Sequence, residues 1–380
     1  MEFGWSDQQV EFRHKVRSFL AKRMPAGWPE ASAHGPGSDE VVAYSKLVCV
    51  ALAEERLLVP QWPLQFGGND GQPWDHYLLG EELFGVGEPR GPQYMNGNWI
   101  GPAIMKYGTE DQQALHLPPM ASGTVAWCQG FSEPSAGSDL ASLRTKAEPS
   151  GNGYRINGAK VWTSYAQSAD YCFLLARTGN ERRSITVFLL PMDTPGIQVK
   201  PIKALVCDGS LNEVFFTDVE ATPDMILGEP DKGWEVVTWA LAQERVGNAK
   251  YAFAITTLNQ VVEILKQRHD FEGTAVRERA ARCLGMCEAA RLLIYRVDDI
   301  RARQLPPTAD SNIARWVQAR GETLVAEFIT DFLPEALSGD AFPHVKAFYR
   351  RAIAAGLGAG AAEIQLNLVA QRYLNLPKAA

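Results

Sequence analysis

The hydrophobic period of this 380-residue chain changes twice, and this limits the folds open to it. Residues 6 to about 122, and those after Gly233, carry apolar side chains at helical spacing. Between them, residues 124–220 contain short runs rich in β-formers, separated by turn sequences. No helical pattern of 10–15 residues lies between these runs, which argues for an antiparallel barrel or sandwich rather than a βαβ sheet.

We therefore expect a mainly α protein with a central β-domain. The predicted domains are an N-terminal helical domain (1–122), an antiparallel β-barrel (123–232) and a C-terminal helical bundle (233–380). Ser6 and Gln9 form a capping-box pattern at the first helix. The other helices are expected at 41–58, 75–86, Trp234–Gln267, 275–303 and 311–333, with a last one that runs to the C-terminus and is interrupted by glycines near 356–360.

Composition excludes several classes of function. The net charge of −7 and pI of about 5.5 argue against a nucleic-acid partner. The sequence contains no run of about 18 apolar residues that would predict a membrane helix, and its first residues lack the apolar core of a signal peptide. A cytoplasmic protein is therefore expected. HExxH and P-loop motifs are absent, and no metal site is expected. Cys283 and Cys287, one helical turn apart, suit either buried hydrophobic positions or half of a metal site.

Two segments carry the candidate chemistry. Residues 127–139 read WCQGFSEPSAGSD, and residues 157–164 read NGAKVWTS. Together they offer backbone N–H groups, hydroxyls and an indole face, which a flat heteroaromatic ring requires. The alternative is an ordinary Gly/Ser-rich turn followed by a core tryptophan.

At this spacing, the two segments resemble the acyl-CoA dehydrogenase family, with motifs like (T/S)-E-P-x-A-G-S-D and N-G-x-K-x-W-(I/T)-(T/S). Further matches (YGTEDQ at 107–112, ILGEPDKGW at 226–234, QRYL at 371–374) extend the resemblance over nearly the whole chain. It implies a helical domain, a β-barrel and a four-helix bundle, with FAD between barrel and bundle. The implied activity is α,β-dehydrogenation of an acyl-CoA thioester to the trans-2-enoyl-CoA, with electrons leaving to electron-transfer flavoprotein or a similar acceptor.

The resemblance also assigns binding residues. The isoalloxazine of FAD would meet a set of residues from both segments: Gln129, Gly130, Phe131, Ser132, Trp162, Thr163 and Ser164. Ser132 would contact the carbonyl edge, Trp162 a ring face and Ser164 the region of N5. Ser138 would meet the pantetheine or pyrophosphate arm of CoA, and Arg245 is a further candidate for substrate binding.

The catalytic base is the most specific inference. The family carries a glutamate either near the C-terminus, where this chain has Ala359, or in a Glu-Arg pair, which here is Glu244-Arg245. Alanine cannot accept a proton, so Glu244 is the candidate base. The apolar stripe through Val237, Ala240 and Leu241 independently leads to Glu244 when it is continued at helical spacing. A structural ion pair of Glu244 with an arginine is the alternative.

Three departures from the family pattern concern the adenosine end of FAD. The R-x-x-F-G motif is only partly kept at Arg268–Glu272, Leu337–Asp340 replaces a glycine-rich stretch, and Ala361 replaces a threonine. We therefore expect either a homotetramer or an α2β2 heterotetramer with a homologous second subunit. Family members of the heteromeric kind often act on bulky steroid-derived or dicarboxylic acyl-CoA. An acyl-CoA oxidase and a non-catalytic partner subunit are the alternative functions.

Overall fold

The computed structural model describes residues 4–206, 210–244, 249–305, 308–339, 341–358 and 360–377. Helices precede and follow a central sheet, which confirms the predicted order. The described α-helices are α1 (Asp7–Lys22), α2 (Trp28–His34), α3 (Asp39–Glu54), α4 (Pro73–Gly85), α5 (Gly101–Tyr107), α6 (Glu110–Ala121), α7 (Gly233–Glu244), α8 (Lys250–Gln267), α9 (Thr274–Ala302), α10 (Asp310–Phe332), α11 (Pro343–Ile353) and α12 (Ala362–Arg372). The described strands are β1 (Trp127–Gly130), β2 (Lys146–Ser150), β3 (Gly153–Ser164), β4 (Tyr171–Arg177), β5 (Ile185–Pro191), β6 (Ile197–Ile202), β7 (Leu211–Ala221) and β8 (Ile226–Leu227).

The first helix and those predicted at 41–58, 75–86, 275–303 and 311–333 correspond to α1, α3, α4, α9 and α10, whereas α2, α5 and α6 had not been predicted individually. The capping box predicted at the first helix is present, since Gln9 N donates to Ser6 Oγ at 3.3 Å and Ser6 N donates to Gln9 Oε1 at 2.9 Å. No described helix is long and apolar enough to span a membrane.

The single helix predicted over Trp234–Gln267 is wrong. The helix α7 is described to Glu244, and α8 begins at Lys250 after Ala249, whose ψ of 46° is not helical. The apolar stripe of α7 leads to Glu244 as predicted. Its extension to Tyr251 fails because that residue belongs to α8, and Asn248 lies outside the described residues.

The chain divides into two compact units. The sheet unit comprises the described residues of Gly35–Asn69 and Arg90–Glu244, and the helical unit those of Met1–His34, Asp70–Pro89 and Arg245–Ala380. All eight strands, together with α3, α5, α6 and α7, belong to the sheet unit. The domain boundaries near 122 and 232 stay a prediction.

The predicted antiparallel β-barrel is wrong, because the sheet is open. Its strand order is β6-β7-β3-β2-β4-β5-β8, with β1 paired to β4 off this path. Among the described strands, the two ends of the order do not pair with each other. The edge strand β6 contains Pro201, which cannot donate to a further ladder, and β8 has only two residues. The β1–β4 and β2–β4 pairs are parallel, whereas the other ladders are antiparallel.

In the helical unit, α8 packs against α9, α10 and α11, α10 also packs against α9 and α11, and α12 packs against α10. Cys283 and Cys287 lie in this core, at 1% and 0% exposure, and burial raises the pKa of their thiols to about 11 and about 12. The buried-hydrophobe interpretation of this pair therefore fits the structure.

A buried carboxylate that sequence reasoning missed joins four helices of the helical unit. Glu81 of α4 accepts hydrogen bonds from Tyr251 of α8 at 2.5 Å and from Tyr295 of α9 at 3.0 Å, and it is ion-paired with Arg13 of α1. The hydroxyl of Tyr77 bonds in turn to that of Tyr251. Burial, followed by the charge of Glu81, raises the pKa of Tyr251 far above its ordinary value. Each side chain of this set thus has at least one polar partner within it.

In the sheet unit, His116 of α6 is buried as a neutral ring. It is 5% exposed, and its ring meets those of Trp127 and Tyr171 edge-on, with centroids 5.1 Å away in each case. Burial lowers the pKa of His116 to about 4. Below the ordinary value of about 6.5, the unfolded chain binds a proton that the folded chain refuses until about pH 4. Stability is therefore lost as pH falls through that window.

We predict that His116→Phe removes this component of acid sensitivity. Between pH 7 and pH 4, urea unfolding should show the wild-type protein losing on the order of 3 kcal/mol more stability than the variant. The matched control is His14→Phe, at an exposed position of α1, which should keep the wild-type pH dependence. If His116→Phe loses stability with pH just as the wild-type protein does, His116 does not fold as a buried neutral ring.

Candidate functional site

The first candidate segment starts as a strand and continues as a tightly bonded loop. The strand β1 pairs in parallel with β4, so that Gln129 lies opposite Phe173. Beyond the strand, Ser132 O accepts the amide of Val161 at 2.9 Å, and Glu133 exchanges backbone hydrogen bonds with Ala136. The Ser132–Val161 bond joins the two candidate segments directly.

A buried ion pair reinforces that junction. Lys160 Nζ donates to Glu133 Oε1 at 2.8 Å and to the carbonyl of Phe131 at 3.2 Å. The Glu133 carboxylate also accepts the backbone amides of Arg144 at 2.6 Å and Thr145 at 2.8 Å. The two side chains are 0% and 4% exposed, so the pair lies out of water with its hydrogen-bonding capacity largely used.

The pKa values of the pair follow from this burial. Burial alone would raise the pKa of Glu133, but Lys160 and the bonds from Thr145 hold it below its ordinary value. Burial lowers the pKa of Lys160, and the charge of Glu133 opposes that change. The charge of each partner thus opposes the effect of burial on the pKa of the other.

The second segment presents an aromatic ring to solvent. The β3–β7 register shifts between Lys160 and Thr163, and Trp162 within this bulge has φ of +59°. A bulge re-aims side chains, and positive φ in a bulky residue is held only by surrounding structure. The Trp162 side chain is 57% exposed, so the core-tryptophan alternative is wrong.

Thr163 beside it carries an unsatisfied group. The residue is 1% exposed, and its Oγ1 has no hydrogen-bond partner among the described residues. The hydroxyl oxygen is itself inaccessible to solvent, so it lies in the protein interior and not on the surface beside Trp162. The exposed indole of Trp162 beside a loop of backbone amides fits a flat ring with polar edges, such as an isoalloxazine.

Gln129 is held by a contact that sequence reasoning missed. Trp99 Nε1 donates to Gln129 Oε1 at 2.7 Å. Trp99 lies in the π-turn, a π-helical segment over Asn96–Ile100. The two residues are 30 positions apart and share no motif, so no sequence signal pointed to this pair.

The helix that ends at Glu244 packs against the same sheet. A Cβ on Gly233, the first residue of α7, would lie 2.7 Å from the carbonyl oxygen of Ile185, so glycine permits close contact with β5. Further along α7, the ring of Trp239 receives Lys106 Nζ at 5.0 Å from its centroid. The helix also packs against the π-turn, and Glu244 itself is half-buried.

The remaining residues predicted for the site differ in how exposed they are, and two of them are not described. Gly130 and Phe131 are buried at the end of β1, and Ser164, the last residue of β3, is half-buried opposite Leu211. Ser138 is exposed in the loop before Leu140. Arg245 and Ala359 lie outside the described residues.

Arg268, the first of the departures from the family pattern, has partners within its own chain. It forms an ion pair with Glu335, and its guanidinium lies 5.5 Å from the ring centroid of Phe342. The pKa of Glu335 is lowered mainly by the hydrogen bond from Arg268.

We predict that Lys160→Met destabilises the sheet unit by about 3–5 kcal/mol, because it leaves the Glu133 carboxylate buried without its cation. Urea unfolding measures this change. The matched control on the same strand is Arg155→Met, which breaks an ion pair with Glu220 whose side chains are 50% and 58% exposed and which should alter stability little. Equal effects of the two substitutions would contradict the assigned role of the buried pair.

Comparison with known proteins agrees with the fold and the motifs. The chain matches three family models: Acyl-CoA dehydrogenase, N-terminal domain (residues 6–124), middle domain (128–219) and C-terminal domain (231–374). Acyl-CoA dehydrogenase IpdE1 of Mycobacterium tuberculosis is 31% identical over 381 residues, covering 97% of this chain and 98% of that protein. Acyl-CoA dehydrogenase FadE34 of the same organism is 34% identical over 87% of this chain, although the match spans only 46% of FadE34.

Two solved structures align with this chain over the full length of both proteins. The steroid ACAD Tcur3481-Tcur3483 has a TM-score of 0.91 at 26% identity, with 100% of each chain covered. The ChsE4-ChsE5 complex from Mycobacterium tuberculosis has a TM-score of 0.88 at 27% identity, also with 100% of each chain covered. The chain therefore belongs to the acyl-CoA dehydrogenase family, flavoprotein oxidoreductases that act on the CH–CH bond of acyl-CoA.

Proposed function

We propose that this protein catalyses FAD-dependent α,β-dehydrogenation of an acyl-CoA thioester to the trans-2-enoyl-CoA, with Glu244 as the base. One observation carries the proposal. The helix α7, whose last described residue is Glu244, packs against the π-turn, and Trp99 of that turn hydrogen-bonds Gln129 of β1. A continuous set of contacts within the sheet unit therefore connects the candidate base to the candidate flavin-binding residues.

The flavin-binding assignment uses both segments. Gln129, Gly130, Phe131, Ser132 and Ser164 would line the polar edge of the isoalloxazine. The exposed indole of Trp162 would cover one ring face. Ser138 and Arg245 are proposed to contact the CoA thioester.

In this proposal, Glu244 removes the proton from the α-carbon of the acyl chain, and a hydride leaves the β-carbon. Bound FAD supplies the hydride acceptor. The acyl chain thereby loses one proton and one hydride, which leaves a carbon–carbon double bond between the α- and β-carbons. The apolar side chains of Val236, Val237 and Ala240 anchor α7 in the core, so the carboxylate at its end is held in place. Electron-transfer flavoprotein or a similar acceptor would then reoxidise the protein.

A bulky acyl chain is the substrate class we favour. The steroid ACAD and this chain align over their full lengths at 26% identity. A steroid-derived or dicarboxylic acyl-CoA is therefore the first group to screen, with an artificial electron acceptor as the readout.

We predict that Glu244→Gln lowers turnover by about 10²- to 10⁴-fold, the range typical of a lost general base. Flavin content and acyl-CoA binding should persist, because the amide keeps the size of the carboxylate. The measurement is steady-state turnover with an artificial acceptor, together with the flavin absorbance of the purified protein.

The matched control is Glu235→Gln on the same helix, an exposed position that should keep wild-type turnover. Turnover of Glu244→Gln within a few-fold of wild type would contradict the assignment. Reduced stability together with normal turnover would favour the structural ion pair instead.

We further propose that a homologous second subunit completes the molecule as an α2β2 heterotetramer. Arg268 forms an ion pair with Glu335 of its own chain, whereas the arginine at this position in the family reaches the FAD of a neighbouring subunit. The C-terminal segment also exposes large apolar side chains, which suit a protein interface. They are Leu366, Tyr373, Leu374 and Leu376.

Co-expression with a homologous subunit should yield a heterotetramer with about one FAD per two chains. Mass measurement and flavin absorbance determine both quantities. A stable homotetramer with one FAD per chain would contradict the heteromeric assembly while leaving the dehydrogenase proposal intact.

A further inference from the structure

The π-turn brings one buried indole to Gln129 of β1, a candidate flavin-binding residue. Trp99 is 1% exposed, and its ring packs edge-on against Tyr94 with centroids 5.4 Å apart. Asn96 Nδ2 donates to the carbonyl of Val125 at 2.8 Å, which ties the turn to the residues just before β1. Single π-helical turns are rare and occur frequently at functional sites.

The hydrogen bond from Trp99 determines which way the Gln129 amide points. An indole N–H can only donate, so the atom that it meets at 2.7 Å must be the carbonyl oxygen Oε1. The Nε2 group, with two N–H donors, is therefore directed away from Trp99. Among the described residues, Nε2 has no hydrogen-bond acceptor, and Gln129 is half-buried.

The strand β1 keeps this amide apart from the core of the sheet. Cys128 and its partner Cys172 are both 0% exposed in that core. Because side chains alternate along a strand, Gln129 emerges on the opposite face from Cys128. Its two donors are thus available to a ligand on that face.

We propose that Trp99 is a positioning residue: it fixes the Gln129 amide so that Nε2 donates to a carbonyl oxygen of the isoalloxazine ring. This inference rests on the proposed function, because it requires a flavin at the loop. Reduction adds electron density to the ring, so a fixed donor stabilises the reduced form more than the oxidised form. Trp99 thereby raises both the affinity for the flavin and its midpoint potential.

The test is Trp99→Phe, which keeps an aromatic ring in the core but removes the donor. The dissociation constant of FAD for the apoprotein should rise about two- to tenfold, as for the loss of one hydrogen bond. The midpoint potential should fall, and the visible absorption bands of the flavin should shift. Trp99→Phe in a Gln129→Leu background should change none of these quantities further.

The matched control is Trp62→Phe. Trp62 is 2% exposed and also donates to the π-turn, at 3.3 Å from the carbonyl of Gly97, without touching Gln129. This variant should lose a similar amount of stability but keep the flavin affinity, potential and spectrum.

Two outcomes separate this inference from the proposed function. A wild-type protein that binds no FAD would overturn both. A wild-type protein that binds FAD, together with a Trp99→Phe variant of unchanged potential and affinity, would overturn only the role of Trp99. Equal potential shifts in Trp99→Phe and Trp62→Phe would also overturn it, because general loosening of the π-turn would then explain the effect.

Discussion

The candidate site depends on the ion pair between Lys160 and Glu133, which is buried where the two candidate segments, residues 127–139 and 157–164, meet. Removing either charge from water costs free energy unless hydrogen bonds and the opposite charge compensate for it. Here Glu133 also accepts two backbone amides, and Lys160 also donates to the carbonyl of Phe131. The pair therefore fixes a loop that has little regular structure of its own. The bulge that turns Trp162 outward begins at Lys160 itself, so the same pair supports both walls of the site.

Around this pair, the sheet unit assembles its functional groups from separate parts of the chain. The π-turn provides Trp99, β1 provides Gln129, and α7 provides Glu244. Packing against neighbouring elements holds each of these three elements in place. Such an arrangement suits a reaction in which a base and a hydride acceptor must face adjacent carbons of one substrate.

Local patterns predicted much of this molecule, and non-local pairing accounts for the rest. The capping box at Ser6 and the change of hydrophobic period depend on neighbouring residues, so the sequence reveals them. Barrel closure depends on hydrogen bonds between the two edge strands, which no local pattern predicts. The sheet is open, so this part of the prediction was wrong. The period also continues past Ala249, whose backbone is not helical, so α7 and α8 were predicted as one helix. The contact of Trp99 with Gln129 joins distant segments and has no motif.

The central claim is that Glu244 takes the α-proton, and solvent exchange tests it most directly. In D₂O, the wild-type protein should incorporate deuterium at the α-carbon of an acyl-CoA that it oxidises, as measured by mass spectrometry of the recovered thioester. The Glu244→Gln protein should bind the same acyl-CoA but exchange its α-proton slower by orders of magnitude. Exchange at the wild-type rate in that variant would contradict the account.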